Sequence, residues 1–258
     1  MSGHYYKRNK NGTVKLLKEV TTPAKARKHG SALVSVTTLL SYLPNKFLDE
    51  VKKPEKYAEN AREFKHLPIV ALHQKWWGER ECPETGDLIP SSDFGTNAHA
   101  RLEEHMNAQI EGYDLVRDQP YDCVISPTIS FLALNGFKPI SAERMLACEE
   151  RGTAGTIDLI AEKDGRIVLM DYKFRSCKDG KGKFYPEKDC SQLAVEAKMV
   201  MEQDKLDYMP ECYSICVDTE TGTPHVKQWT HAAVKKGLQR FLSVLTFYYL
   251  NPELGFKD

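Results

Sequence analysis

Two aspartates and a lysine carry the clearest chemistry in this chain. Asp158 and Asp171 flank the dipeptide Asp164-Gly165, and Asp-Gly favours a two-residue hairpin turn because both positions tolerate positive φ. A hairpin closed there sets Lys163 against Arg166 and, further along, Asp158 against Asp171. Directly opposed side chains in an antiparallel pair have Cβ atoms about 4.5–5.5 Å apart, where like charges destabilise the sheet. A divalent cation held by carboxylate oxygens would neutralise them. Lys173, two residues beyond Asp171, projects to the same side and adds a fixed positive charge. Such a set can hydrolyse a phosphodiester, with the cation activating water and the ammonium facing the charge that builds on the phosphate.

The setting gives this short pattern its weight, because Asp-x-Lys alone is common on solvated strands. Residues 156–160 (Thr-Ile-Asp-Leu-Ile) and 167–171 (Ile-Val-Leu-Met-Asp) are apolar on both faces, the pattern of a central, covered strand. Acids in such strands are seldom fully buried unless they are paired or bound to metal.

The elements that would position these residues can be read around them. A helical pattern covers 93–110 and a second covers 126–135, stopped by Gly136. Strands are expected at 138–149, 154–163 and 166–174, then a Lys/Gly-rich loop, a helix over 188–203, strands at 209–218 and 223–229, and a closing helix over 231–250. This order predicts an α/β fold with a mixed central sheet flanked by helices, the metal lying at the sheet's edge. Upstream, residues 1–31 read as a basic arm with one possible strand near Val14. Residues 32–92 read as a helical extension, with a capped helix after Ser35, helices over 54–79 and a polar loop from Cys82 to Ser92; the core spans 93–258.

On the expected helix 93–110, His99 and Glu103 are four apart and share a face. A neutral imidazole can ligate a metal, and a glutamate can hold a metal-bound water or a second ion; a lone histidine on a helix is more often a surface or core residue. Gln192 and Glu196 have the same spacing on the later helix, where Gln192 can donate to the site carboxylates or a phosphate, or simply face solvent.

The 258 residues carry no net charge, but its distribution is uneven. Residues 1–31 hold eight basic side chains against Glu19 alone, and a second basic stretch runs through Lys173, Arg175, Lys178, Lys181, Lys183 and Lys188. Such patches can follow a phosphate backbone, or serve only as a solvated tail and loop. Trp76-Trp77 and Tyr5-Tyr6 can stack on unpaired bases; the alternatives are burial for the tryptophans and a frayed terminus for the tyrosines. No apolar run approaches the roughly 20 residues of a membrane span, and Met1 to Tyr6 lack the apolar core of a secretion signal. Seven scattered cysteines then fit reduced thiols. These features predict a cytoplasmic protein with no membrane partner.

Taken together, Gly95-Thr96-x-x-His99-x-x-x-Glu103, Gly155-Thr156-Ile157-Asp158, Asp171-Tyr172-Lys173 and the helix bearing Gln192-Leu193 resemble the PD-(D/E)XK nuclease superfamily. The match is nearest its RecB-like exonuclease branch, over residues 93–200. The resemblance implies a restriction-endonuclease-like core, with His99, Asp158, Asp171 and the main-chain carbonyl of Tyr172 binding Mg²⁺ or Mn²⁺. Lys173 would orient or help deprotonate the attacking water, and Glu103 and Gln192 would support the site. Arg175, Lys178, Lys181 and Lys183 are expected to contact DNA. Two departures stand out. Glu196 occupies a position where the family often has tyrosine. Only Cys82 precedes His99 and no closely spaced C-terminal cysteine trio exists, so no iron-sulfur cluster is expected. The reading is a metal-dependent DNA exonuclease acting on single-stranded or duplex ends in replication, repair or recombination, with a protein partner in those processes left open. Its rivals are an endonuclease on the same core and a nucleic-acid-binding protein with a dead site.

Overall fold

The computed structural model describes residues 4–21, 23–41, 78–177 and 179–250. Their elements, in chain order, are β1 (Tyr5–Arg8), β2 (Val14–Leu16), α1 (Pro23–His29), β3 (Leu33–Ser35), α2 (Val36–Leu40), β4 (Glu79–Glu81), β5 (Leu88–Pro90), α3 (Ser91–Glu111), α4 (Asp122–Leu134), β6 (Lys138–Cys148), β7 (Thr153–Lys163), β8 (Arg166–Arg175), α5 (Ser191–Gln203), β9 (Glu211–Asp218), β10 (Pro224–Gln228) and α6 (His231–Leu250). A single π turn, Pro186–Cys190, leads into α5. The expected α/β architecture is present: a mixed sheet, with α2, α5 and α6 packed into the core on one face and α3 and α4 into the core on the other. Among the described residues, no helix is long and apolar enough to cross a membrane.

The Asp164-Gly165 turn forms as its sequence dictates, with φ of 51° and 74°, both in the left-handed region that lets a two-residue turn follow the twist of its strands. β7 and β8 pair antiparallel from Lys163–Arg166 to Leu159–Met170. β8 then runs parallel to β9 over its length, joined by the crossover through α5, and β10 pairs antiparallel with β9. β6 covers the other edge of β7. Val168 to Tyr172 are buried as a run, the pattern of a strand covered on both faces.

The N-terminal segment, expected as a basic arm with one possible strand, is built into the sheet. β1 pairs with β2 and β3, and β3 joins β7 in parallel at Thr153 and Ala154. Tyr5 and Tyr6 are buried in this extension and Tyr6 is hydrogen-bonded to Thr156 at 3.2 Å, so neither ring is free to stack on a base. Their apolar area is worth more inside the sheet than at a frayed end. Ser35 does cap α2, accepting the Thr38 amide at 2.9 Å. The polar loop expected from Cys82 is the link of a short hairpin, in which β4, just before it, pairs with β5 inside it. Residues 54–77 of the expected helices, including Trp76 and Trp77, lie outside the described residues.

α3 carries His99, and its placement follows from a buried stripe of Phe94, Ala98, Leu102 and Met106 at helical spacing. Gly112, at φ 75°, ends the helix and donates to Ala108 at 2.8 Å. Arg101 locks α3 to the start of α4: its guanidinium meets both Asp122 oxygens at 2.6 and 3.0 Å, and also reaches Glu104 and the Val116 carbonyl. These hydrogen bonds hold the Asp122 carboxyl down at about 2. Stability from a depressed acid is present above its ordinary range near 4 and is lost as pH falls toward 2. Arg101→Ala is therefore expected to destabilise the protein by about 2–4 kcal/mol at neutral pH, because it leaves a partly buried charge without its partner. Urea unfolding checks this, and the loss should shrink as pH is lowered through 4.

Candidate metal centre

β7 forks the sheet at the residues of interest. Its inner edge is paired to β3 at 153–154 and to β8 at 159–163, which leaves residues 155–158 bound to neither strand. The β7–β8 ladder ends one pair short of the two acids. Asp158 therefore does not face Asp171 across a regular pair as its numbering suggested: its Oδ2 instead accepts the Tyr172 main-chain amide at 2.7 Å. The side chain replaces the carbonyl that a continuing ladder would have supplied.

β7 also changes its alternation here. Ile157 and Ile160 lie in one core while Leu159 and Ala161 lie in the other, although residues three apart on an unbroken strand face opposite sides. On the other side of β7, β6 is irregular at the same level. Ala142 pairs with Leu159 and Arg144 with Ile157, but no pair links Glu143 to Asp158. Glu143 has φ 45°, a left-handed backbone that costs an ordinary side chain roughly 1 kcal/mol. Such irregularities re-aim side chains. The centre lies at this fork inside the sheet, not at the sheet's edge.

The result is a close trio. One ligand atom each from His99, Glu143 and Asp158 lies within 4.8 Å of the other two. His99 Nδ1 is 3.8 Å from Asp158 Oδ2, and its ring packs edge-on against Phe174 and Tyr172 at centroid distances of 5.1 and 6.3 Å. Burial and then the charge on Lys173 push His99 down to about 4, outweighing Asp171 and the Tyr172 main chain. Its imidazole is neutral at neutral pH, the form that ligates metal. Asp171 is not in the trio. It is buried to 1% exposure, and its Oδ1 accepts the Lys173 ammonium at 2.5 Å. Burial pushes Asp171 up to about 6, with Lys173 opposing and Asp158 reinforcing the shift. Asp158 is raised by burial, against Lys173 and the Tyr172 amide. Burial, Asp158 and Glu103 together push Glu143 up to about 8.

Burial alone would lower the Lys173 ammonium, but Asp171 and Asp158 outweigh it and hold the amine protonated. Lys173 stands here as a positive charge bonded to Asp171. Arg175 is tied into the fold. Its guanidinium makes two 2.8 Å bonds to the buried Asp189, donates to the Lys183 carbonyl and stacks on Tyr185. Lys181 and Lys183 are exposed; Lys178 lies outside the described residues. Glu103 is half-buried, close enough to Glu143 to repel it. Gln192 is buried and donates to Glu196 Oε1 on its own helix at 3.2 Å.

Two acids escaped the sequence reading. Counting back from the turn at 149–152 would have set Glu143 opposite Asp158, as the flanking pairs now show, but its position in a half-buried strand resembled any solvated face. Glu196 was visible as the helical neighbour of Gln192 and as a departure from a motif, but not as part of the centre; it is 1% exposed, and the charges acting on it come from Asp171, Asp158 and Lys173.

The residues fit a divalent cation. Their donors are carboxylate oxygens and a neutral imidazole, and Asp171 Oδ2 and Glu196 Oε2 are buried with no hydrogen-bond partner among the described residues. A buried unpaired carboxylate oxygen is costly, and a cation removes that cost.

No protein-family model and no curated protein matches this chain. Among solved structures, it is similar to SSO0001 at 11% identity and a TM-score of 0.34, covering 81% of this chain and 75% of that one. It is also similar to a protein from Eubacterium rectale named "Putative exonuclease", at 12% identity and a TM-score of 0.34, covering 83% and 81% of the two chains. Overlaps this slight carry no inference about this chain.

Glu143, pushed up to about 8, must take up a proton for the chain to fold at pH 7, and that uptake costs stability. Glu143→Gln keeps the side chain's shape and removes one of the crowded acids. In the metal-free protein it is expected to raise the melting temperature by about 2–4 °C, the equivalent of about 1 kcal/mol in a chain of this size. A scanning calorimetry trace in which this variant melts lower would show that Glu143 is held by a bond worth more than its repulsion.

Proposed function

We propose that this protein is a divalent-metal-dependent phosphodiester hydrolase acting on DNA, with His99, Asp158, Asp171, Glu143 and the Tyr172 main-chain carbonyl as the groups that would hold Mg²⁺ or Mn²⁺. The observation that carries this reading is the fork in the sheet, which gathers an imidazole and carboxylates beside an ammonium held by Asp171. A divalent ion bound there would lower the pKa of a water, and would stabilise charge on the phosphate and the leaving oxygen.

The protein's own groups supply the rest. Lys173, fixed by its bond to Asp171, places a positive charge where the phosphate oxygens gain negative charge, and its geometry is set before substrate arrives. Asp158 is held by the Tyr172 amide, so its orientation does not have to be found during the reaction. His99, packed between Phe174 and Tyr172, presents a fixed ring. Glu103 sits one turn beyond His99 on the same face of α3 and would orient water at the outer rim. The exposed Lys181 and Lys183, on the loop that follows β8, would meet the phosphate backbone of a strand entering the site.

The resemblance in the motifs favours an exonuclease working at single-stranded or duplex ends in replication, repair or recombination, together with a protein partner in one of those processes. Asp158→Asn and Lys173→Gln are each expected to lower cleavage by about 10²–10³-fold or more while leaving the circular dichroism spectrum unchanged. The assay is digestion of end-labelled linear DNA with Mg²⁺ or Mn²⁺, alongside a covalently closed circle. Loss of the linear substrate with an intact circle supports the exonuclease. A cut circle makes the protein an endonuclease, and DNA binding without cleavage under either metal returns it to the binding class.

A further inference from the structure

We infer that the exposed ring of Tyr185, on the loop between β8 and α5, is a stacking site for an unpaired base, with the Lys183 ammonium on the neighbouring phosphate. The substrate this site selects is single-stranded DNA. The inference deepens the hydrolase reading and rests on its use of DNA. It also gives the stacking role to a ring other than those of Tyr5 and Tyr6, which the fold buries.

Tyr185 is 49% exposed, and a single exposed aromatic is ordinary. What sets this one apart is how firmly it is held. Its amide donates to Asp189 Oδ2 at 2.8 Å, and its carbonyl accepts the amides of Lys188 and Asp189 at 2.9 and 2.8 Å. The Arg175 guanidinium lies against the ring, 4.7 Å from its centroid, and is itself fixed by two 2.8 Å bonds to Asp189. One face of the ring therefore rests on a cation, and the other is left for a ligand. A ring set in place beforehand loses little freedom on binding. Lys183 and Tyr185 both point outward, while Phe184 between them turns inward and packs edge-on against Trp229 at 6.5 Å. Arg175 also takes the Lys183 carbonyl, so the same guanidinium positions both residues. An ammonium and an aromatic ring side by side match the phosphate and the base of a single strand.

The position of this pair relates it to the centre. Arg175 stands two residues beyond Lys173 on β8, so the two share a face of the strand and are roughly 7 Å apart along it. The platform that Arg175 supports thus begins beside the ammonium that would meet the reacting phosphate, and the exposed Lys181 continues the basic row on the same loop. Inside a duplex each base is covered on both faces by its neighbours and cannot lie on the ring. An unpaired base has an open π-face whatever its identity. The ring therefore distinguishes single strands from duplex without reading sequence. An acidic peptide would satisfy the lysines but has no comparable flat face for Tyr185.

The test is fluorescence anisotropy with the full chain and Ca²⁺ in place of Mg²⁺, using a labelled oligothymidylate, an abasic strand of the same length and a blunt duplex. Tyr185→Ala is expected to weaken oligothymidylate binding by about fivefold or more, and to leave the abasic strand and the duplex within about twofold of wild type. Tyr185→Phe should bind as wild type does, and Lys183→Ala should weaken both single strands alike. Thermal melting confirms that each variant is folded; should Tyr185→Ala fail that check, Tyr185→Leu, which keeps apolar bulk over Arg175 without the π-face, carries the test. Unchanged oligothymidylate binding, or an equal loss on the abasic strand or the duplex, overturns the stacking site. Continued digestion of linear DNA with Mg²⁺ or Mn²⁺ then leaves the hydrolase reading intact. The expected binding pattern without digestion keeps the stacking site and removes the hydrolase, and a wild type that binds none of the three overturns both.

Discussion

Carboxylates crowded into a low-dielectric gap are the constraint on which this structure turns. Glu143, Asp158, Asp171 and Glu196 come from β6, β7, β8 and α5, and each is held above the usual carboxylate range, with burial as the largest cause. One ammonium, that of Lys173, cannot compensate four acids. A fold retains such a gap only if the rest of the molecule is stable enough to hold it open.

That support is apolar and nearly continuous. β8 is buried from Val168 to Tyr172, and β7 is buried at Ile157 and again from Leu159 to Ala161, so that the fork is set in a rigid frame rather than in a loop. Helices on the two faces deliver different chemistry to it. α3 brings the imidazole from the side of the Phe94–Leu102–Met106 stripe, with Arg101 tying it to α4. α5 brings Gln192 and Glu196 from the opposite face. The sheet does not separate them because the ladder between β7 and β8 has already stopped. Asp158 turns that interruption to use: it satisfies the Tyr172 amide that the missing pair would have left unbonded.

Positive charge near the site divides between structure and surface. Arg175 is consumed by Asp189 and the Lys183 carbonyl, and so shapes the loop that follows β8. Lys181 and Lys183 stay exposed on that loop. A count of basic residues along the chain cannot make this division, because Asp189 is fourteen positions from Arg175 and meets it only through the turn into α5.

The sequence by itself determined the elements. The Asp164-Gly165 turn, the doubly apolar runs around Asp158 and Asp171, the helix that presents His99 and the order of strands and helices after residue 90 were legible, because they depend on local φ preferences and on hydrophobic period. Only the tertiary structure decided where the regular pattern breaks. Numbering placed Asp158 opposite Asp171, whereas packing ended the ladder before that pair and brought in Glu143 from a neighbouring strand and Glu196 from a helix. It also placed Tyr5 and Tyr6 inside the sheet. Local rules describe residues that repeat, and this site is assembled where the repeat stops, at a point fixed by what β3, β6 and α5 can bury against β7.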